Sequence, residues 1–268
     1  MNVLWVSDGK AGHENQVLGL LERLGELTEL SITKTAPISL FEGFTRSLSP
    51  SSEHYDFVIA AGSHTHTSLW WFGFQYRMPR VVVMRPSLLG HSANFRIIPA
   101  HDRVKADANT FVTLGPMNRV QAGDPSGPAI AVIGGISKHF DWDNTQVWNQ
   151  MEPWLEARPD AKIYDSRRTP DAFRHQLSER YPDQYVPVEQ SRPGELAGAM
   201  SQAKAIWVTP DSASMVFEAW STRAEVTRCE MNSLGTRVAK AVTGDAPDQP
   251  LNEAKRAAAW LLEKIENY

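Results

Sequence analysis

The chain has little that would suit a secreted, membrane-spanning or nucleic-acid-binding protein. Its 268 residues contain one cysteine, Cys229, which excludes an intramolecular disulfide and argues against a cysteine-based zinc site. No apolar run reaches the roughly 18–20 residues that span a bilayer, and the polar Ser7–Lys10 segment comes too early for a signal peptide. The formal net charge of −4 gives no basic surplus for nucleic acid. We therefore expect a cytoplasmic protein with no nucleic-acid partner.

Several catalytic motifs are also absent. Gly9 and Gly12 do not form the G-x-G-x-x-G dinucleotide motif, and no Walker A sequence follows them. The lack of that motif and of a Tyr-x-x-x-Lys pair disfavours a Rossmann-type sugar-nucleotide epimerase or another oxidoreductase. The lack of G-x-S-x-G disfavours an α/β-hydrolase. No histidine–carboxylate cluster has metal-binding spacing, so we expect neither a metal ion nor a bound cofactor.

Strand-like and helix-like segments alternate along the chain, which predicts an α/β fold with parallel sheets. The glycine- and proline-rich segment 121–128 interrupts the alternation and has the composition of a linker. We predict two Rossmann-like domains, over residues 1–124 and 125–250. An amphipathic C-terminal helix lies within 251–268, and we expect it to pack back on the N-terminal domain.

The predicted strands and helices place the polar loops of both domains after strands. The predicted strands are 2–6, 27–32, 57–61, 80–84, 95–98, 110–113, 129–133, 161–164, 185–188, 205–208 and 226–228. The predicted helices are 13–24, 39–47, 65–76, 145–156, 171–180, 194–203, 212–222 and 251–267. Ligands of doubly wound sheets bind outside the carboxyl ends of the strands, so we expect the site in a cleft that the two domains face.

The first strand–helix loop, residues 7–16, carries many groups capable of acid–base chemistry and hydrogen bonding: Asp8, Lys10, His13, Glu14 and Asn15. The N–H groups at the start of a helix are unpaired and favour an anion. The bland alternative is a polar turn that is merely solvated. A second loop of this domain, Gly62–His64, also follows a strand.

Three loops of the second domain are suited to a phosphorylated ligand. Gly134 and Gly135 permit close backbone approach, and Ser137 and Lys138 can contact phosphate. The adjacent arginines of the next loop suit a diphosphate, although a solvated surface pair is an equal alternative. The third loop precedes a helix whose Glu218 can accept ribose hydroxyl groups, whereas Asp211 or Ser212 can simply cap that helix.

These loops, taken in order, resemble the bacterial branch of the mitochondrial-fission "elongated mitochondria" family. The resemblance extends over residues 5–220 and is carried by SDGKAGHENQVLGL, AAGSHTH, IPAHDRV, TLGPMNRV, VIGGISKHFDWD, DSRRTP and TPDSASMVFEA. It implies a glycosyltransferase of GT-B architecture. Bacterial members are associated with lipopolysaccharide or lipooligosaccharide core assembly, whereas the plant relative is a mitochondrial-fission factor. The chain departs from the family at AAGSHTH, where a glycine–arginine loop is commoner, and at Asp165.

The resemblance also implies roles for individual residues. The second domain would bind the nucleotide diphosphate-sugar through Gly134, Gly135, Ser137, Lys138, Ser166, Arg167, Arg168, Thr169, Asp211, Ser212, Met215 and Glu218. The first would bind a glycan or glycolipid acceptor, and the candidate residues are Lys10, Gly12, Asn15, Gly62, Ser63 and His64. For the general base we expect His13 or Asp8, and His13 has the better intrinsic pKa for that role at neutral pH. Lys138, Arg167 and Arg168 would stabilise the leaving diphosphate without a metal ion.

Two further expectations accompany this assignment. The protein can instead be a non-catalytic binding or scaffold module that retains a nucleotide-sugar fold, because fold does not imply function. The aromatic segment Trp70–Phe74 is a candidate contact with the inner membrane, where a lipid-linked acceptor would be found. Core packing is the alternative explanation for these aromatic residues.

Overall fold

The computed structural model describes residues 1–39, 54–87 and 89–268. The chain divides into two compact units, one formed by residues 1–119 and 253–268, the other by residues 120–252. Each unit is a parallel β-sheet with helices, which confirms the predicted α/β class of two Rossmann-like folds. No helix in the described part of the chain is both long and apolar enough to cross a bilayer.

Unit 1 is built on six parallel strands among its described residues. They are β1 (Asn2–Val6), β2 (Ser31–Thr35), β3 (Phe57–Ala61), β4 (Arg80–Val83), β5 (Phe95–Pro99) and β6 (Thr110–Thr113), in the spatial order β2-β1-β3-β4-β5-β6. All residues of β3 are buried, as expected for a central strand covered on both faces. The carboxyl ends of β1 and β3 are adjacent, so the two candidate loops of this unit follow neighbouring strands.

The described residues of this unit form three α-helices, which are α1 (Ala11–Gly25), α2 (His66–Gln75) and the C-terminal α8 (Glu253–Glu266). The leucines of α1 pack against the alanines of α8 and Leu261 in one buried cluster. Glu253 fixes the start of α8, because its carboxylate accepts hydrogen bonds from the Leu114 N–H at 2.6 Å and from Arg256 at 2.7 Å. Short 3₁₀ helices occupy Ser63–Thr65, Leu89–Ser92 and Ala100–Asp102.

One strand of unit 1 differs from its prediction. We predicted a strand over 27–32, but β2 covers Ser31–Thr35. This edge strand is polar and largely exposed, whereas the predicted range contains Leu27, Leu30 and Ile32, whose apolar side chains gave a misleading signal. The predicted helix 39–47 lies outside the described residues, except for Ser39.

Unit 2 contains five parallel strands in the order β11-β10-β7-β8-β9. They are β7 (Ile130–Val132), β8 (Lys162–Tyr164), β9 (Tyr185–Val186), β10 (Ala205–Val208) and β11 (Glu225–Arg228). Its helices are α3 (Asn144–Glu156), α4 (Asp171–Arg180), α5 (Glu195–Gln202), α6 (Ala213–Ala219) and α7 (Arg237–Val242). Strands β8 and β10 flank β7, so three loops follow adjacent strand ends.

Capping side chains explain where two of these helices begin. The Asp143 carboxylate accepts hydrogen bonds from the N–H groups of Thr145 and Gln146 at the start of α3. Thr236 caps α7 in the same way through the Ala239 N–H. Helix α7 was not predicted from the sequence, since six residues are too few for a clear helical periodicity.

Candidate functional site

The loop between β1 and α1 turns sharply at the carboxyl end of the sheet. The Ser7 N–H continues the strand pairing by donating to the Thr35 carbonyl at 2.9 Å. Gly9 then adopts a left-handed backbone with φ +75°, which a glycine accommodates without steric cost. Lys10 is the N-cap of α1 and offers no side-chain cap, so the first N–H groups of the helix lack a side-chain partner at this end.

Asp8 and His13 form a hydrogen-bonded dyad at this helix end. His13 Nδ1 lies 2.9 Å from Asp8 Oδ2 and 3.1 Å from Asp8 Oδ1. The Asp8 side chain is almost buried, whereas His13 keeps 23% of its side-chain surface exposed. A nearly buried carboxylate therefore holds an imidazole ring that still reaches solvent.

The protonation of the dyad follows from its surroundings. Burial raises the pKa of the Asp8 carboxyl, but the Lys10 N–H, the His13 hydrogen bond and nearby positive charge bring the pKa below its ordinary value. An ionised Asp8 can only accept a hydrogen bond, so it selects the ring form in which His13 Nδ1 carries the hydrogen and Nε2 faces away from the carboxylate. Such a pair can hold a general base in one tautomer and one orientation.

Gly62 gives the dyad the room that it needs. It follows β3 with φ +87°. A Cβ atom at this position would overlap the His13 ring and would lie 3.2 Å from Asp8 Oδ2. A side chain at position 62 would displace the imidazole. The structure thus brings Gly62, which follows β3, against Asp8 and His13, which follow β1.

The other predicted residues of unit 1 lie around the dyad with fewer contacts. Lys10 is exposed, with its ammonium 3.6 Å from Asp8 Oδ2. Gly12 lies in the first turn of α1 with open space around it. Asn15 is exposed about 200° around the helix axis from His13, so it faces away from the dyad. Ser63 and His64 are exposed on the 3₁₀ helix that follows Gly62.

Glu14 belongs to a separate network on the same turn. Its carboxylate accepts hydrogen bonds from Ser7 Oγ at 2.5 Å and from Lys34 Nζ at 2.6 Å. The Lys34 hydrogen bond, followed by that of Ser7, lowers the pKa of Glu14. Glu14 is thereby kept as a paired anion, and Asp8 is the carboxylate that orients His13.

In unit 2, Gly134 and Gly135 follow β7 where two other loops press against the backbone. A Cβ atom on Gly134 would overlap the Asp211 carboxylate, and one on Gly135 would overlap the Arg168 carbonyl. The Gly134 N–H donates to Thr209 Oγ1 at 2.7 Å, and the Gly135 N–H donates to Asp211 Oδ2 at 2.9 Å. These glycine N–H groups are therefore engaged within the protein, and the two glycines chiefly permit close packing of the loops.

Asp211 is the buried centre of this arrangement. Besides the Gly135 N–H, its Oδ2 is paired with an Arg168 nitrogen at 2.9 Å. Burial raises the pKa of Asp211, although the Arg168 charge and the Gly135 N–H favour its anion. Arg168 is further held by the Ile136 carbonyl at 3.0 Å, while 40% of its side chain remains exposed. The carboxylate thus fixes an arginine that still reaches solvent.

Ser166 and Thr169 fasten the second loop to the first. The hydroxyl groups of both residues donate to the Gly134 carbonyl, and Ser166 Oγ also accepts the Arg168 N–H at 3.2 Å. Both side chains therefore use their hydroxyl groups to shape the loop. The Ile136 N–H completes the contact by donating to the Arg168 carbonyl at 3.1 Å.

The remaining predicted residues of unit 2 are more accessible. Ser137 Oγ accepts the N–H groups of His139 and Phe140 and so forms a turn. Lys138 and Arg167 are exposed cations beside this turn and the β8 loop. Ser212 is the N-cap residue of α6. Three residues, Ser212, Met215 and Glu218, are partly buried.

Glu218 stands out electrostatically. Burial alone raises its pKa to about 7, because no opposite charge among the described residues compensates for lost hydration. Met215 and Glu218 are three residues apart on α6 and lie on one helix face. A carboxylate with this pKa can accept hydrogen bonds from hydroxyl groups and changes charge near neutral pH.

Sequence reasoning missed two residues that shape this site. Thr209 accepts the Gly134 N–H, a contact that only the pairing of β10 with β7 reveals. Asp165 is fully buried and accepts hydrogen bonds from Arg174 at 2.5 Å, Tyr185 at 2.8 Å and the Val188 N–H at 2.6 Å. It anchors the start of the Ser166–Thr169 loop, and its position after a strand was the available signal.

Within the described ranges, no group of three histidine, cysteine, aspartate or glutamate side chains is arranged to hold a metal ion. Unit 1 contains an oriented histidine, His13, near the N-terminus of α1. Unit 2 offers exposed cations next to a tightly packed glycine loop and a carboxylate of raised pKa. These are the groups needed for proton removal and for anion and hydroxyl binding.

Several solved structures share the fold of the whole chain. Escherichia coli ADP-heptose heptosyltransferase II has a TM-score of 0.54 at 10% identity, with 100% of this chain and 99% of that chain covered. The Neisseria meningitidis UDP-GlcNAc 2-epimerase, bound to UDP-GlcNAc, has a TM-score of 0.51 at 11% identity and full coverage of both chains. The S. aureus MnaA–UDP structure has a TM-score of 0.56 at 13% identity, with 99% and 89% covered. At these identities the likeness establishes the fold alone.

Sequence comparison identifies the family. No curated protein matches the chain. The family model described as Mitochondrial fission ELM1 matches residues 11–265, which is most of the chain. The resemblance inferred from the loop motifs is thereby confirmed, and the chain belongs to the Mitochondrial fission ELM1 family with a GT-B glycosyltransferase-like fold.

Proposed function

We propose that the protein transfers a sugar from a nucleotide diphosphate-sugar to a cell-envelope glycan or glycolipid of the lipopolysaccharide or lipooligosaccharide core type, without a metal ion. The Asp8–His13 dyad is the observation that carries this proposal. A pure binding module has no need of an oriented, partly exposed imidazole backed by a buried carboxylate. Sugar transfer needs such a base to take the proton of the acceptor hydroxyl.

In the proposed reaction, unit 1 binds the acceptor and unit 2 binds the donor. The acceptor oxygen attacks the anomeric carbon while His13 Nε2 takes its proton, and the bond from that carbon to the diphosphate oxygen breaks. The leaving diphosphate carries the developing negative charge. Lys138, Arg167 and Arg168 supply the positive charge that stabilises it, with Arg168 held in place by Asp211.

Glu218 would bind the ribose hydroxyl groups of the donor. Its partly buried carboxylate has no ion-pair partner in the described part of the chain, so its oxygens are available as acceptors. Met215, one turn earlier on α6, would lie against the nucleotide. Gly134 and Gly135 would contribute by letting the loops pack closely enough to place the cations. The proposed location is the cytoplasmic side of the inner membrane.

The first test is a thermal-shift screen of the purified chain with nucleotides and nucleotide-sugars, in the presence and absence of EDTA. A ligand at about 100 times its Kd stabilises the folded state by about 2.7 kcal/mol. For a chain of this size we expect the unfolding midpoint to rise by about 5–10 °C. A shift that EDTA abolishes would contradict the metal-independent donor site.

The second test measures sugar transfer with the donor so identified and lipopolysaccharide core acceptors. His13→Ala and Asp8→Asn should each lower the transfer rate by about 10²–10⁴-fold, whereas nucleotide binding should be unchanged. His54→Ala is the matched control, because His54 belongs to the same unit, has a side chain that is 84% exposed, and is not among the candidate site residues. Full activity of both dyad variants would refute the base assignment. Nucleotide binding without turnover on any acceptor would favour the non-catalytic scaffold instead.

A further inference from the structure

Helix α2 presents two large aromatic side chains to solvent. Trp70 is 37% exposed and Phe74 is 70% exposed. Their rings are stacked 5.8 Å apart at an interplanar angle of 4°, and Trp71 lies 6.4 Å from Trp70 at the edge of this pair. Residues four apart share one face of a helix, so Trp70 and Phe74 form a continuous apolar ridge.

The core of unit 1 does not explain this ridge. Leu69 and Phe72, on another face of α2, are buried in the cluster that packs the helix onto the sheet. The exposed parts of Trp70 and Phe74 therefore add no packing to that side. In the isolated protein, the exposed parts of the two rings contact water, which is unfavourable for apolar surface. Exposed apolar patches of this kind mark interaction surfaces.

The stretch of sequence that contains α2 carries charge of one sign. Between Asp56 and Asp102 the sequence contains four arginines and four histidines but neither aspartate nor glutamate. Arg77, two residues beyond the end of α2, is exposed.

A second exposed arginine lies near the other end of the helix. Arg85 is exposed in the loop after β4. Ser87 of that loop is bound to His66, the first residue of α2, because its N–H lies 3.2 Å from His66 Nδ1. The ridge is therefore flanked by one arginine toward each end of α2.

We propose that this surface of α2 binds an anionic lipid bilayer, with Trp70 and Phe74 entering the interface and Arg77 and Arg85 contacting lipid phosphates. Tryptophan and other aromatic rings favour the region between headgroups and acyl chains, and basic residues beside them are attracted to anionic lipids. The ridge is formed by two adjacent rings with exposed arginines toward each end of the helix, so its apolar surface and its positive charge together match an anionic bilayer interface. This contact does not rest on the proposed transfer reaction.

The aromatic contribution is tested by flotation of the full chain with phosphatidylcholine vesicles that contain one quarter phosphatidylglycerol. Trp70→Ser/Phe74→Ser should weaken binding by about tenfold or more, since it removes the apolar area of both rings. Leu27→Ser/Ile32→Ser is the matched control, because these residues of the same unit are 43% and 45% exposed. Phe74→Ser alone serves if the double variant does not fold.

The charge contribution is tested with the same vesicles. Arg77→Gln and Arg85→Gln should each weaken binding about fivefold, and added salt should weaken binding by the wild type. Lys255→Gln, an exposed cation on α8, should have no effect. The proposal is overturned if the chain does not bind, binds neutral phosphatidylcholine vesicles equally well, or is unaffected by the aromatic substitutions. These vesicles contain no sugar acceptor, so failure here leaves the transfer assay untouched.

Discussion

Replacing Gly62 by alanine tests whether the Asp8–His13 dyad depends on the space that this glycine leaves. Two costs are expected. A backbone with φ +87° strains any residue with a Cβ by about 1–3 kcal/mol. The new methyl group would also overlap the His13 ring, and forcing an extra carbon into an occupied space costs about 1–3 kcal/mol more.

Gly9→Ala provides the control that separates these two costs. Gly9 also has a positive φ, +75°, but nothing lies within 4 Å of a Cβ atom placed there. This substitution should cost only the backbone strain, about 1–2 kcal/mol. The unfolding midpoint of Gly62→Ala should therefore lie several degrees below that of Gly9→Ala, since 1 kcal/mol corresponds to about 2–4 °C at this chain length.

Activity gives the second readout of the same pair. If His13 is the base, Gly62→Ala should lower the transfer rate by about 10²–10⁴-fold, because displacement of the His13 ring breaks its alignment with Asp8. Gly9→Ala should keep most of its activity. Equal unfolding midpoints for the two variants would refute the packing argument. Equal activities with different midpoints would refute the role of the dyad in catalysis.

Three further substitutions test other parts of the structure. Glu218 has a pKa of about 7 in the folded state, above its value in the unfolded chain, so the native state loses stability as pH rises between these two values. Glu218→Gln should therefore raise the unfolding midpoint more at pH 8 than at pH 5. A difference that does not depend on pH would contradict this prediction. Asp211→Ala should destabilise the protein by about 1–3 kcal/mol in thermal unfolding, because the Gly135 N–H and Arg168 lose their partner. An unchanged unfolding midpoint would show that the contacts of Asp211 do not contribute to stability. Glu253→Gln should speed limited proteolysis at the C-terminus by weakening the contact with Leu114, and unaltered cleavage would argue against that anchor.

The sequence predicted the buried parts of the fold better than the exposed parts. The bounds of β1, β3 and β10 were predicted correctly because their residues form short apolar runs between polar loops. Strand β2 was misplaced because an edge strand with a solvated face needs no apolar residues. Its position is set by pairing with β1, which is information that no local pattern contains.

The candidate site shows the same division between local and long-range information. Loops after strands could be recognised as candidates, since strand ends and helix starts are local features. The sequence could not reveal that Gly62 accommodates His13, because the two residues approach only when β1 and β3 pair. Nor could it show that Asp211 lies beneath Gly134 and Gly135 and holds Arg168. Whether these residues bind ligand remains a prediction for the assays above.

The discontinuity of unit 1 has a consequence for how the protein is made. The chain leaves this unit after Arg119 and returns to it only at Glu253, where α8 packs against α1. During synthesis all of unit 2 leaves the ribosome before the helix that completes unit 1. Until then, α8 does not cover the apolar side of α1 around Leu20 and Leu24. This is the period of synthesis in which the nascent N-terminal unit is most exposed to aggregation or chaperone binding.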